Sequence, residues 1–200
     1  MPCIPYPVIL ASASPRRRRL LAELIPAFTV CPSDVDEDAI TCTDPRATAE
    51  RLAHAKALAV AAKNPSALVI GGDTVVALPN PPEGSRDGWE MLAKPTDPED
   101  AVRMLSKLAG RSHMVVTGVS LVWPGGFKTF HDASWVTFRQ AAEEEIRAYV
   151  ATGEPLDKAG AYGIQDASHD FCIGIDGSTA NVVGLPIEQL GTVLGELWGN

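Results

Sequence analysis

Three stretches of this chain carry residue types that could do chemistry together. The first is Ile9-Leu10-Ala11-Ser12-Ala13-Ser14-Pro15-Arg16-Arg17-Arg18-Arg19, an apolar strand that stops at two serines and turns into a helix. Ser14 suits the N-cap, and Pro15 the first helical position, where its missing N–H leaves nothing unsatisfied. Four arginines in that opening turn oppose the positive end of the helix macrodipole, each by roughly 0.3–1 kcal/mol. An anion arriving there removes the penalty, because free backbone N–H groups, serine hydroxyls and guanidinium forks all suit phosphate. The plainer reading is a solvated cationic turn whose arginines point apart. The second stretch, Ala67 to Leu78, is a near-continuous apolar run interrupted by Gly71-Gly72 and by one carboxylate, Asp73. The glycines suggest a bulge or a close approach by a ligand. The carboxylate is costly unless it is hydrogen-bonded, paired or bound to a metal, although backbone amides alone could satisfy it. The third stretch, GEPLDKAGAYGIQ from Gly153 to Gln165, has the composition of an ordered functional loop.

Two more charged features complete the set: Lys94, and the acidic run Asp34, Asp36, Glu37, Asp38. Carboxylates from two distant segments could hold one divalent cation, since Mg²⁺ is typically bound by one or two carboxylates plus substrate phosphates. That pattern suits phosphoanhydride hydrolysis. Asp73 could take a proton from water while Arg16, Arg17, Lys94 and the cation neutralise charge developing on the leaving group. Gln165 offers an amide edge that matches O4 and N3–H of uracil or thymine, though an amide can flip and does not by itself exclude cytosine. The chain contains no GxxxxGK[ST], no kinase-type catalytic loop, no GxGxxG after a strand and no GxSxG elbow, which favours a nucleotide hydrolase outside the P-loop class.

The elements that must position these residues are readable in outline. A helix starting at Pro15 ends near Pro26, and Phe28 to Cys31 could form a second strand. Asp44-Pro45 and Asp97-Pro98 repeat the cap-then-proline start, opening one helix to about Lys63 and another to Gly110. Lys56 lies inside the former, where local sequence favours a solvated helical lysine. Pro79 to Trp89 reads as a long loop. Met114 to Trp123 and Phe127 to Arg139 read as a hairpin around Pro124-Gly125-Gly126. Glu143, Glu144 and Glu145 suit a helix start that Gly153 closes. A strand at Phe171 to Ile175 and a helix from Ile187 to Trp198 follow. Helices alternate with strands early and a hairpin sits in the middle, which predicts an α/β fold with a mixed sheet.

Composition limits the partners. At 200 residues and 46% hydrophobic the chain can bury a full core, and its formal net charge of −8 argues against a long nucleic-acid footprint. Neither an export signal nor an apolar run of ~18 residues is present, so a cytoplasmic protein without a membrane partner is expected. Cys3, Cys31, Cys42 and Cys172 lack zinc-type spacing and are expected to be reduced; the four histidines are equally dispersed.

Six segments, LASASPRR at Leu10 to Arg17, GGDT at Gly71 to Thr74, Lys94-Pro95, GRSHMVVTGV at Gly110 to Val119, EPLDKAGAYGIQ at Glu154 to Gln165 and VVGLP at Val182 to Pro186, resemble the Maf family of nucleoside triphosphate pyrophosphatases. The resemblance runs in order over nearly the whole chain. It implies hydrolysis of a nucleoside triphosphate to the monophosphate and pyrophosphate, aided by Mg²⁺ or Mn²⁺. It also implies one domain over residues 1–200 with an elongated Maf/inosine-triphosphatase-like fold, a central mixed sheet flanked by helices, a cleft between two lobes and, in many members, a homodimer. By position it makes Asp73 the proton acceptor and metal ligand with Glu37, and places Ser12, Arg17, Lys56 and Lys94 around the phosphates or metal. Arg16, Thr74 and Gln165 fall where the branch acting on dTTP and UTP differs from the branch acting on 7-methyl-GTP. The resemblance thus implies a dTTP/UTP pyrophosphatase; the alternatives are the 7-methyl-GTP branch and a nucleotide-binding cell-division regulator without turnover. This chain departs from the family pattern at Gly72, where alanine is common, at Asp166, where glycine usually follows the glutamine, and in the longer Pro79 to Trp89 loop.

Overall fold

Ser14, Asp44 and Asp97 each cap a helix whose first residue is proline, and in each the cap oxygen accepts from a backbone N–H two or three residues on. The three helices are α1 (Pro15–Leu24), α2 (Pro45–Ala61) and α3 (Pro98–Leu108). In the computed structural model, which describes residues 3–37, 39–40, 42–80, 88–165 and 170–199, they pack with α4 (Glu143–Val150), α5 (Thr179–Val183) and α6 (Ile187–Trp198) around one sheet. Its strands are β1 (Val8–Ala11), β2 (Thr29–Val30), β3 (Leu68–Pro79), β4 (Trp89–Leu92), β5 (Ser112–Trp123), β6 (Gly126–Phe138) and β7 (Cys172–Asp176). Two of these elements go beyond the sequence reading. β4 begins at Trp89, the last residue of the stretch read as loop, and α5 lies between the Phe171 to Ile175 strand and the final helix, where the sequence pattern points to no helix; each is too short to show a period. None of the described helices is long and apolar enough to cross a membrane.

The sheet is mixed, as the alternation of elements predicts. Its order is β2-β1-β3-β5-β6-β7, with β1 parallel to β2 and β3 and the remaining pairs antiparallel. One consequence of the register places the site. β3 pairs with β5 continuously from Val69 to Ala77. Along its other edge it pairs with β1 only as far as Gly71, and with β4 only from Val76. Residues 72–75 therefore face a gap in the sheet edge, and Asp73 and Thr74 sit in the middle of it. The apolar packing divides at the same point. Ile70 and Leu121 belong to a cluster with α1 and α6, whereas Val76, Leu78 and Val115 belong to another with α3 and α4.

Gly71-Gly72 is not a bulge, since the β3–β5 register runs through it unbroken. Gly71 instead admits a helix. A Cβ there would lie 2.3 Å from the Ala53 carbonyl oxygen of α2, and one on Gly118, opposite Asp73, would lie 2.3 Å from the Ala49 carbonyl. Both glycines let α2 settle onto the sheet beside Asp73.

His113 is fully buried on β5, its Nε2 2.7 Å from Tyr162 Oη and its ring edge-on to Phe138; Nδ1 has no hydrogen-bond partner among the described residues. Burial pushes its pKa from 6.5 down to about 3. The imidazole is neutral in the fold and must gain a proton only on unfolding as the pH drops. Its contribution is therefore complete above pH 6.5 and lost between that value and about 3, at up to about 1.4 kcal/mol per unit. His113→Gln, which keeps a partner for Tyr162 but does not titrate, is expected to lose about 2 kcal/mol less than the wild type between pH 7 and 5 in urea denaturation. Parallel losses would show that His113 does not titrate on unfolding.

Candidate active site

All nine residues singled out from sequence, Ser12, Arg16, Arg17, Glu37, Lys56, Asp73, Thr74, Lys94 and Gln165, line one cleft of about 860 Å³ at the gap in the β3 edge. The β1–α1 corner forms its cationic wall. Ser12 is buried, and its Oγ accepts from the Ser14 amide at 3.2 Å and from Arg17 Nη1 at 3.2 Å. Arg17 turns back from the first helical turn across the sheet. Its Nε donates to the Gly184 carbonyl at 2.8 Å and its Nη2 to Thr74 Oγ1 at 2.9 Å. Three of its five N–H groups are thus engaged inside the protein, and two remain. Burial draws Arg17 below the usual arginine range, opposed by the charge of Asp73; it stays a cation. Arg16 also lines the cleft, while Arg18 and Arg19 lie outside it.

Across the gap Asp73 and Lys56 form a buried ion pair. Asp73 is 7% exposed and Lys56 8%, and Nζ stands 2.6 Å from Asp73 Oδ1 and 2.8 Å from Glu37 Oε1. The solvated lysine expected from local sequence is thereby corrected: α2 lies so close over Gly71 and Gly118 that Lys56 points into the sheet gap. Asp73 is satisfied by an ammonium group rather than by backbone amides. Burial opposes ionisation of Glu37, but the hydrogen bond and charge of Lys56, with Lys94 and Arg17 further off, outweigh it and hold the carboxyl below the ordinary glutamate range.

The rims are more open. Lys94, just past β4, is exposed, and so is Gln165, which also lines the cleft. Between them the segment Asp157 to Ile164, part of the Gly153 to Gln165 stretch that its composition marks as a functional loop, supplies further lining. Lys158 there is buried and donates to the Glu154 carbonyl and, at 2.8 Å, to Asp157. Burial opposes ionisation of Asp157, and Lys158 followed by Arg16 overcomes it, so its carboxyl also lies low. Asp38, Asp166 and residues 81–87 of the long loop lie outside the described residues.

Glu37 and Asp73 each give one oxygen to Lys56, and the hydrogen bonds among the described residues leave the other oxygen of each carboxylate unengaged. No group of three or more His, Cys, Asp or Glu gathers among the described residues. This donor set fits a hard divalent cation that takes most of its ligands from substrate phosphates and water, and does not fit a closed all-protein metal site.

A family model described as Maf-like protein matches residues 7–197. A Moorella thermoacetica protein named dTTP/UTP pyrophosphatase is 48% identical over 198 residues, covering 96% of this chain and 97% of its own. Proteins of the same name from Nitratidesulfovibrio vulgaris and Aquifex aeolicus are 46% and 44% identical; they cover 94% and 95% of this chain, and 87% and 95% of their own lengths. Among solved structures, the Staphylococcus aureus Ham1 protein superposes with a TM-score of 0.54 at 17% identity over 95% of this chain and 98% of that one, a likeness of fold alone. With the family model spanning residues 7–197 and relatives 44–48% identical over most of their lengths, the chain belongs to the Maf family.

Proposed function

We propose that this chain hydrolyses dTTP and UTP to the monophosphate and pyrophosphate. The observation that carries the reading is the cleft in which a buried Asp73, ion-paired to Lys56 on one wall, faces Ser12 and Arg17 on the other. The triphosphate lies against the Ser12–Arg17 corner, where the two unengaged guanidinium N–H groups and Lys94 meet its oxygens. Asp73 accepts the proton of a water whose oxygen bonds to phosphorus as the bridge between the α and β phosphates breaks, so one water is consumed and pyrophosphate leaves. Lys56, 2.6 Å from Asp73 Oδ1, holds the carboxylate in place until that proton arrives. The second oxygens of Glu37 and Asp73 would hold a divalent cation, Mg²⁺ or Mn²⁺, which supplies charge neutralisation when bound. Gln165 at the rim reads the pyrimidine edge, with Arg16 and Thr74 beside the phosphates. The substrate in this reading is free nucleotide in the cytoplasm; the net charge of −8 supports a free nucleotide over a nucleic acid polymer.

A metal-supplemented panel of dTTP, UTP, CTP and 7-methyl-GTP, with pyrophosphate and orthophosphate measured separately, tests this. Pyrophosphate is expected from dTTP and UTP, at rates at least about tenfold above those for 7-methyl-GTP, a discrimination within reach of one amide pairing with the base edge. Preference for 7-methyl-GTP would move the chain to the other branch. Absence of pyrophosphate from every substrate would overturn the reading and leave a nucleotide binder.

A further inference from the structure

The nucleotide reading uses Thr74 and Arg17 but leaves unexplained a train of buried polar groups behind them. Thr117 sits directly opposite Thr74 in the β3–β5 register, and their hydroxyl oxygens are 2.9 Å apart. Thr117 Oγ1 donates onward to the Asn181 carbonyl at 2.8 Å. Asn181 is completely buried, and every polar group of its side chain is engaged. Oδ1 accepts from the Thr117 amide at 2.9 Å, and Nδ2 donates to the Val115 carbonyl at 3.0 Å and to Ser134 Oγ at 2.9 Å. Its own amide is capped by Ser178 at 3.1 Å.

The direction of this train follows from counting protons. A threonine hydroxyl has one hydrogen, and that of Thr117 goes to a carbonyl that can only accept. The Thr74 hydroxyl must therefore donate to Thr117, and it accepts from Arg17 Nη2 at 2.9 Å. No proton remains on Thr74 for a ligand. Its part is to present a fixed lone pair to Arg17. The other end of the same guanidinium is held by the same element, because the Gly184 carbonyl that accepts from Arg17 Nε ends α5, three residues after Asn181. Gly184 has φ of +124°, and a Cβ there would come within 3.4 Å of Thr74 Oγ1.

We propose that Thr117 and Asn181 are positioning residues which, through Thr74 and the end of α5, fix the Arg17 guanidinium with its two unengaged N–H groups available to phosphate. The proposal rests on the reading of the cleft as a triphosphate site. It also accounts for two of the sequence motifs, since GRSHMVVTGV carries Thr117 and Asn181 immediately precedes VVGLP. Arg17 is held at Nε, Nη1 and Nη2 by residues from three separate segments, so little ordering entropy is left to lose when an anion arrives.

The test compares the wild type with Thr117→Val, which keeps the shape and removes the hydroxyl, and Thr117→Ser, which restores it. Two probes are used: binding of inorganic tripolyphosphate by calorimetry, and ¹⁵N NMR of the Arg17 guanidinium. Thr117→Val is expected to weaken tripolyphosphate binding and raise KM for UTP about tenfold, the effect of losing one hydrogen bond, with kcat within about twofold of wild type. It should also speed rotation of the Arg17 Nη groups, and Thr117→Ser should reverse every change. A merely structural Thr117 would lower the folded fraction and leave KM and Nη rotation unaltered in the folded protein; that result overturns the proposal. Freely rotating Nη groups in the wild type overturn it without any variant, even if Thr117→Val fails to fold. A wild type with restrained Arg17 that binds no tripolyphosphate contradicts the triphosphate reading, and with it the phosphate-directed half of the proposal, but upholds the positioning of Arg17.

Discussion

Asp73→Asn is expected to lower kcat for UTP by at least about 100-fold while a non-hydrolysable UTP analogue still binds within a few-fold of the wild-type affinity. The magnitude is that of removing a positioned general base, typically 10²- to 10⁴-fold. The asymmetry between turnover and binding follows from the geometry. The substituted amide would occupy the same volume opposite Gly118, and its carbonyl could still accept from Lys56, which also keeps Glu37 at 2.8 Å. The Ser12, Thr74 and Gly184 contacts that hold Arg17 do not involve Asp73 at all. What the amide cannot do is accept a proton from water near neutral pH. The decisive measurement is kcat by pyrophosphate release set beside analogue affinity by calorimetry. Loss of both by the same factor would mean that Asp73 is there to hold the fold, and the proton would then need another acceptor.

The same geometry shows what can be read from sequence and what cannot. Asp73 stands out because a carboxylate inside an apolar run violates a strong rule, and Ser14-Pro15 with its arginines because a cationic turn at a helix start violates a weaker one. Both are local signals. Lys56 has no such signal. The helix around it is alanine-rich on most of its circumference, so its spacing does not say which face is buried, and its partner is 17 residues away on β3. Only the two glycines that admit the helix decide the matter, and in sequence Gly71 suggests a bulge or a ligand instead. Thr117 is hidden for a different reason. It is a polar residue inside MVVTGVSLV, the same kind of anomaly as Asp73, but a threonine suits a strand well enough to pass unnoticed. Asn181 gains its meaning only from α5. The gap in the sheet edge, which creates the cleft, depends on where β1 ends and β4 begins, and β4 has only four residues. Register of that kind is a product of tertiary pairing.

Removal of the Lys56 ammonium is expected to have the largest effect on stability. Its side chain and that of Asp73 are 11% and 10% exposed, so the pair is largely desolvated. Breaking such a pair from one side typically costs about 3–5 kcal/mol, because the remaining charge is left buried without compensation. Lys56→Met, which preserves most of the stem's packing against the sheet, should therefore lose about that much in urea denaturation at pH 7. Asp73→Asn added to Lys56→Met removes the stranded charge, so the double variant should be more stable at pH 7 than Lys56→Met alone, by about 2 kcal/mol or more. Strict additivity of the two substitutions would mean that water reaches the pair and that the Lys56 ammonium does little to compensate the Asp73 charge.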